Sequence, residues 1–76
     1  MRVTEKNLTT AIHQLNKTLN LPPESQYELD IAYGGYKLTK RMMAGYRDVT
    51  SGYEPKREVY TFILGMFAGI RATKEN

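Results

Sequence analysis

Residues 27–42 read YELDIAYGGYKLTKRM, and this stretch decides the fold. Its two halves alternate apolar and polar side chains with the period of a β-strand, and they flank the pair Gly34-Gly35. Two glycines accept positive φ angles, so they suit the two-residue turn of a β-hairpin. We therefore predict an antiparallel hairpin with Gly34-Gly35 as its loop.

That loop fixes a register for the two strands. It places Ile31 opposite Leu38 and Leu29 opposite Lys40 on a face that is largely apolar, with polar residues on the other face. An isolated hairpin is marginally stable, so we expect the apolar face to be covered. An alternative gives residues 36–44 a helix in place of a strand, because two of their apolar side chains lie one helical turn apart.

One helix is predicted on each side of the hairpin. Residues 4–19 begin with Thr4 as N-cap and repeat apolar side chains at helical spacing, at Leu8, Ile12, Leu15 and Leu19. Residues 55–73 begin with Pro55 at the first helical position and carry a broad apolar face. Between hairpin and second helix, residues 47–51 alternate enough to form a short third strand.

Length and composition limit what this fold can carry. The chain has 76 residues, no cysteine and one histidine, so disulfides, thiolate metal sites and histidine-rich metal sites are excluded. We expect no metal and no cofactor. The sequence predicts one small α+β domain over residues 1–76, in the order α-β-β-(β)-α, with the antiparallel hairpin packed against two helices.

The second helix contains an unusual stripe of small residues. Gly65 and Gly69 lie inside it, each costing about 1 kcal/mol relative to alanine, and Thr61 and Ala72 extend the stripe. Such a stripe lets another backbone approach closely. The partner is either the first helix of this chain, which we favour, or the same helix in a homo-oligomer. The longest apolar run, residues 59–70, is short of the ~20 residues that span a bilayer, so we expect a cytoplasmic protein.

Catalytic patterns are sparse. The serines Ser25 and Ser51 do not lie in a nucleophile elbow, and no cysteine is present. Glu28 and Asp30 fit solvated charges on a strand better than an acid–base pair. We therefore expect a protein that is not an enzyme.

Charge and tyrosine content concentrate in one part of the chain. The net charge is +3, yet residues 37–57 alone carry six basic and two acidic side chains, and five of the six tyrosines fall between residues 27 and 53. Basic groups meet phosphate and tyrosine stacks on a base, so this mixture suits an anionic ligand with an aromatic ring. The predicted ligand-binding residues are Tyr33, Gly34, Gly35, Tyr36, Arg47, Lys56 and Arg57. A structural explanation stays open, in which the tyrosines cover the core and the cations solvate an edge strand.

Two blocks of sequence carry a family resemblance. AYGGYKL at residues 32–38 and KREVY at residues 56–60 resemble the AYGGYxL and KRExY motifs of a group of small proteins encoded by bacteriophages and prophages. The resemblance implies a viral protein acting in the cytoplasm of a host cell, and no mechanism. Small phage proteins of this kind bind host proteins, coat nucleic acid or sequester the nucleotide signals of bacterial immunity.

The first functional hypothesis is therefore a phage-encoded, non-catalytic counter-defence protein that sequesters a nucleotide-like anionic signal. One alternative is an accessory protein that binds DNA or RNA through the same basic stretch, with steep salt dependence. Another is an inhibitor of a host protein that uses the apolar face of the C-terminal helix.

Overall fold

Two helices and three antiparallel strands follow one another in the order α-β-β-β-α. The computed structural model describes residues 2–74. Its elements are α1 (Glu5–Thr18), β1 (Tyr27–Ala32), β2 (Gly35–Met42), β3 (Gly45–Asp48) and α2 (Lys56–Lys74). The strands form one sheet in the order β1-β2-β3, and a short 3₁₀ turn at Pro23–Ser25 leads into β1. The α+β class and the hairpin are confirmed, and the helical alternative for residues 36–44 is wrong.

Helix α1 begins with a reciprocal cap. The Thr4 hydroxyl accepts a hydrogen bond from the Asn7 amide, while the Asn7 side chain accepts one from the Thr4 amide. Both bonds satisfy donors that the first helical turn leaves open. The helix ends at Thr18, so Leu19 is its C-cap and remains 37% exposed rather than part of the apolar stripe.

The core lies between the helices and one face of the sheet. The central strand β2 contributes one fully buried side chain, Leu38, to a cluster that both helices complete. Its members are Leu8, Ile12, Leu38, Val59 and Ile63. The opposite face of the sheet has no helix over it within the described residues, and it carries most of the polar side chains of the three strands, with Lys40 and Arg47 as exceptions.

The hairpin turn lies one residue earlier than predicted. Tyr33 and Gly34 have φ angles of 53° and 72°, so these two residues form the loop. Gly35 is the first residue of β2 and pairs with Ala32. A turn with two left-handed residues matches the twist of the flanking strands, which is why the strands accept a tyrosine there.

Moving the turn changes the register. Leu29 lies opposite Leu38 and Ile31 lies opposite Tyr36, in place of the predicted partners Lys40 and Leu38. The partners shift by two residues, and a shift of two keeps every side chain on its predicted face. The sorting into an apolar and a polar face is therefore as expected, although the pairings are not.

The third strand also differs from its prediction. It covers Gly45–Asp48 rather than residues 47–51 and lies directly after a two-residue turn. It stops because the Val49 and Thr50 amides both donate to the Leu38 carbonyl, while the Leu38 amide donates to the Thr50 hydroxyl. This bulge interrupts the β3 ladder, and residues 49–54 continue along β2 in the same direction until Glu54 pairs with Tyr36.

Helix α2 differs from the prediction at its start and on its outer side. The carbonyl of Pro55 accepts the first helical hydrogen bonds, so Pro55 is the N-cap rather than the first helical residue. A Cβ added at Gly65 or Gly69 would meet no atom within 4 Å. The small-residue stripe therefore faces open space, and the favoured packing against α1 is wrong. Within residues 2–74, neither helix is long and apolar enough to cross a bilayer.

A buried asparagine fastens α1 to the sheet. Asn16 is 8% exposed, and its side-chain amide donates to the Tyr27 carbonyl at 3.0 Å while its oxygen accepts from the Tyr27 amide at 2.7 Å. These two bonds occupy the outer edge of β1 at its first residue. Asn16 thus replaces a neighbouring strand at this point.

Candidate ligand-binding site

The hairpin turn presents an aromatic ring to solvent. Tyr33 is 94% exposed, although its backbone occupies the left-handed region where bulky residues are rare. Asparagine followed by glycine is the preferred pair for such a turn. Tyr33 therefore holds a position that favours another residue, and the ring it presents there contributes little to the core.

Gly35 is buried because another part of the chain covers it. A Cβ at this position would lie 3.0 Å from both the carbonyl carbon and the Cβ of Tyr53, and 3.2 Å from the Glu54 nitrogen. Next to it, the amides of Tyr36 and Glu54 each donate to the other's carbonyl at 2.8 Å. Gly35 was predicted to bind a ligand, but the backbone that approaches it closely belongs to this chain, so it is not available to a ligand.

Tyr53 connects the turn to the polar face of the sheet. Its hydroxyl donates to the Asp30 carboxylate at 2.5 Å, and its ring lies 5.4 Å from the Tyr33 ring in an edge-to-face arrangement. The Lys37 ammonium lies 4.4 Å from the centre of the Tyr53 ring. Edge-to-face pairs and cation–π contacts both fix ring orientation.

Neighbouring charged groups shift the pKa values of Tyr53 and Lys37. The hydrogen bond to Asp30, with desolvation and the carboxylate charge, raises the pKa of Tyr53 above its usual value, although Lys37 opposes the shift. Desolvation lowers the pKa of Lys37, but its hydrogen bond and ion pair with Asp48 at 3.4 Å outweigh that and raise it overall. Lys37 is therefore a firmly charged group that Asp48 already holds.

The raised pKa of Tyr53 predicts a pH-dependent contribution to stability. A raised pKa in the folded state stabilises the protonated phenol, so the contribution is complete below pH ~10 and disappears as pH rises through the folded-state pKa. We expect Tyr53→Phe to melt at a lower temperature than wild type at pH 8, with the difference shrinking above pH 10. Thermal melts between pH 7 and 11 measure this.

Tyr60→Phe is the matched control, because the Tyr60 hydroxyl makes no hydrogen bond within residues 2–74. Its melting temperature should follow wild type across the same pH range. A Tyr53→Phe difference that stays constant or grows above pH 10 would contradict the Asp30 hydrogen bond.

Two more cations lie at the same end of the hairpin. The Lys56 ammonium is 5.8 Å from the centre of the Tyr36 ring, and Tyr36 is half-buried against the core. Arg57 follows in the first turn of α2 and is exposed. Among the described residues neither cation forms an ion pair, unlike Lys37. They are available to an anion.

Arg47 lies elsewhere. It pairs with Lys40 across β2 and β3, four residues along β2 from Tyr36, a separation of about 13 Å. The structure thus divides the predicted site. Tyr33, Gly34, Tyr36, Lys56 and Arg57 lie near the turn, Gly35 lies beneath Tyr53, and Arg47 lies towards the other end. We call Tyr33, Lys37, Tyr53, Lys56 and Arg57 the turn-end site.

The polar face of the sheet holds a shallow depression of about 330 Å³. Its lining residues are Glu28, Leu29, Asp30, Thr39, Tyr46 and Asp48. Three carboxylates in this lining repel phosphate, although Arg41 pairs with Glu28 at 3.5 Å. Within residues 2–74 no three acidic or histidine side chains are placed to hold a metal ion. An anionic ligand therefore fits the turn-end site better than this depression.

Tyr53 was missing from the predicted site. The sequence placed it in the tyrosine-rich stretch, but no local pattern indicates which tyrosine folds back over the hairpin. Gly35 is compatible with such a close backbone approach, but the sequence assigned it equally well to the turn.

The chain matches no protein-family model, no curated protein and no solved structure.

Proposed function

We propose that this chain is a non-catalytic binding protein that captures a small, nucleotide-like anion at the turn-end site. The observation that carries the proposal is Tyr33, an exposed aromatic ring held in a left-handed turn position that disfavours it. Residues whose backbone is held in a sparsely populated conformation concentrate at ligand sites.

The neighbouring groups supply the rest of the recognition. Tyr33 and Tyr53 already meet edge to face, so a base stacked on Tyr33 would extend an existing aromatic pair. Lys56 and Arg57, with no ion pair of their own among the described residues, would contact the phosphates. Lys37 is held by Asp48 and positions the Tyr53 ring instead.

Sequestration is the role that this chemistry supports. The turn-end site offers aromatic rings for stacking and positive charge for phosphate. The hydrogen bond from the Tyr53 hydroxyl to the Asp30 carboxylate holds the Tyr53 ring in place. The resemblance to phage proteins makes a nucleotide signal of bacterial immunity the ligand class to test, in the cytoplasm of an infected cell.

Native mass spectrometry is the direct test. The protein is incubated with a panel of mononucleotides and cyclic dinucleotides and with small-molecule extracts from phage-infected bacteria. We expect wild type to retain a nucleotide-sized mass and to melt at a higher temperature with that ligand. Arg57→Ala should lose at least 10-fold in affinity, whereas Lys6→Ala on α1 should bind as wild type does.

Tyr33→Asn separates binding from folding. Asparagine is favoured in this turn, so the variant should be as stable as wild type or more stable by up to about 1 kcal/mol. It should nevertheless lose the ligand. Equal binding by wild type, Tyr33→Asn and Arg57→Ala would refute the turn-end site, and absence of any retained mass from every extract would refute sequestration.

A second candidate function is favoured by the outer side of α2. No charged residue occurs between Val59 and Ile70, yet Phe62 and Leu64 are 43% and 49% exposed beside Gly65. An uncharged, partly apolar helix face of this kind marks protein contacts. We propose that it binds a host protein or a second copy of this chain.

Two substitutions at Gly65 test this candidate. Gly65→Ala should stabilise the helix by about 1 kcal/mol, because the position is exposed and helical. Gly65→Leu should keep the fold and the nucleotide affinity but abolish the contact, seen as a loss of mass in light scattering or of a host protein in a pull-down. A partner that Gly65→Leu still binds would exclude this face.

A further inference from the structure

The turn between β2 and β3 forms a projecting tip at the end of the sheet opposite the turn-end site. Tyr27, the first residue of β1, pairs with Lys40, so β2 and β3 continue beyond β1 as a two-stranded ribbon, in which the Arg41 amide still donates to the Gln26 carbonyl. Two further rows of this ribbon extend about 7 Å before the turn at residues 43–44. We call residues 40–47 the ribbon tip.

The end of the ribbon tip is apolar and unprotected. Met43 at the turn is fully exposed, at 102% of its reference area, and Met42 beside it is 43% exposed. Gly45 closes the turn with a φ of 130°, a conformation that other residues rarely adopt. The tip thus holds a flexible apolar side chain in solvent on a defined backbone.

The base of the ribbon tip carries cations on both faces, and on one of them Arg41 is already paired with Glu28 at 3.5 Å. Lys40 and Arg47 lie directly opposite each other on one face, and Arg41 lies on the other. Like charges in opposing positions destabilise a sheet, and neither Lys40 nor Arg47 forms an ion pair within residues 2–74. The Lys40 ammonium lies 5.7 Å from the centre of the Tyr27 ring. The repulsion between Lys40 and Arg47 lowers the stability of the folded protein on its own, and an anionic partner would relieve it.

We propose that the ribbon tip enters the major groove of duplex DNA. That groove is about 12 Å wide and 8.5 Å deep and admits a two-stranded β-ribbon. Lys40 and Arg47, which form no ion pair within residues 2–74, would reach the phosphates along one wall of the groove. Met43 would contact base edges, including the methyl group of thymine. The proposal uses none of the residues of the turn-end site.

Other anionic surfaces fit less well. The major groove of duplex RNA is too narrow and deep for side chains to read, so duplex RNA should bind more weakly than DNA. In a bilayer the backbone amides and carbonyls of the exposed turn would lose their hydrogen bonds, a larger penalty than one methionine returns.

Fluorescence anisotropy with a labelled 20-base-pair DNA duplex tests the proposal at 50 and 200 mM salt. Lys40→Gln combined with Arg47→Gln should weaken binding at least 10-fold and reduce the slope of log affinity against log salt by about 2. The control, Lys6→Gln combined with Lys17→Gln, removes the same charge from exposed positions on α1 and should change the affinity less than 2-fold. Met43→Ala should weaken binding about 3- to 10-fold without altering the salt slope.

Stability measurements separate these effects from unfolding. Removing the like-charged pair should leave the melting temperature unchanged or raised, so weaker binding cannot result from a lost fold. No binding at 50 mM salt, or equal losses in the two double variants, would overturn the proposal. Binding to anionic lipid vesicles or to duplex RNA that exceeds binding to DNA would also overturn it. Tyr33→Asn and Arg57→Ala should bind the duplex as wild type does, which keeps this result separate from that for the nucleotide site.

Discussion

Gly35→Ala is expected to lower the free energy of unfolding by about 2–4 kcal/mol. The added methyl group would lie 3.0 Å from the backbone and Cβ of Tyr53, a distance that real Cβ atoms rarely tolerate. The chain at Tyr53 would have to move, and the paired backbone bonds between Tyr36 and Glu54 would lengthen or break. Thermal and urea unfolding measure the loss.

Gly52→Ala is the matched control, because a methyl group at Gly52 meets no atom within 4 Å. It should change stability by no more than about 0.5 kcal/mol. Gly35→Ala should also return the phenol pKa of Tyr53 towards its usual value, since the hydroxyl moves away from Asp30. A stable Gly35→Ala protein with the raised pKa intact would show that the close approach is absent.

Asn16→Ala should lower the free energy of unfolding by about 2–3 kcal/mol, or the melting temperature by about 10–20 °C. The substitution leaves the amide and the carbonyl of Tyr27 without partners at the outer edge of β1. A partly buried backbone group without a hydrogen bond costs more than the bond itself contributed. Differential scanning calorimetry gives both quantities.

Two further variants distinguish hydrogen bonding from packing. Asn16→Asp keeps the shape and the acceptor but places an oxygen against the Tyr27 carbonyl, so it should be about as unstable as Asn16→Ala. Gln14→Ala changes an exposed amide on the same helix and should have little effect. If Asn16→Asp were as stable as wild type, the two-bond clamp would not hold α1 to the sheet.

Sequence periodicity was enough for the two helices and the hairpin, because each is amphipathic over its own length, but not for β3, whose four residues are all exposed. The helical spacing of Leu8 and Ile12 and the alternation around Leu38 are local signals, and all three side chains are buried. The register was not predicted. Two adjacent glycines predict the loop from the local sequence. In the structure Gly35 lies against Tyr53, which is distant in sequence, and the turn is formed by Tyr33 and Gly34.

The candidate site was predicted less well than the fold for the same reason. Its cations and aromatic residues were identified by composition, but composition does not say which end of a strand each one occupies. Because β3 begins at Gly45, Arg47 lies beside Lys40, towards the end of β2 that is distant from the hairpin turn. The course of residues 49–54 along β2 is fixed by the Thr50 hydroxyl and by backbone bonds to Leu38 and Tyr36, and no pattern of spacing in the sequence reveals it.

The pairing of residues 49–54 with β2 also determines where the length of the chain can change during evolution. The segment from Val49 to Glu54 is anchored at both ends to β2, through the Leu38 and Tyr36 backbones, so an inserted residue would break one anchor. The turn at residues 43–44 is exposed at both residues, so it can lengthen with little cost. Homologous chains should therefore keep a constant number of residues between the bulge and α2, while the reach of the ribbon tip varies from one lineage to another.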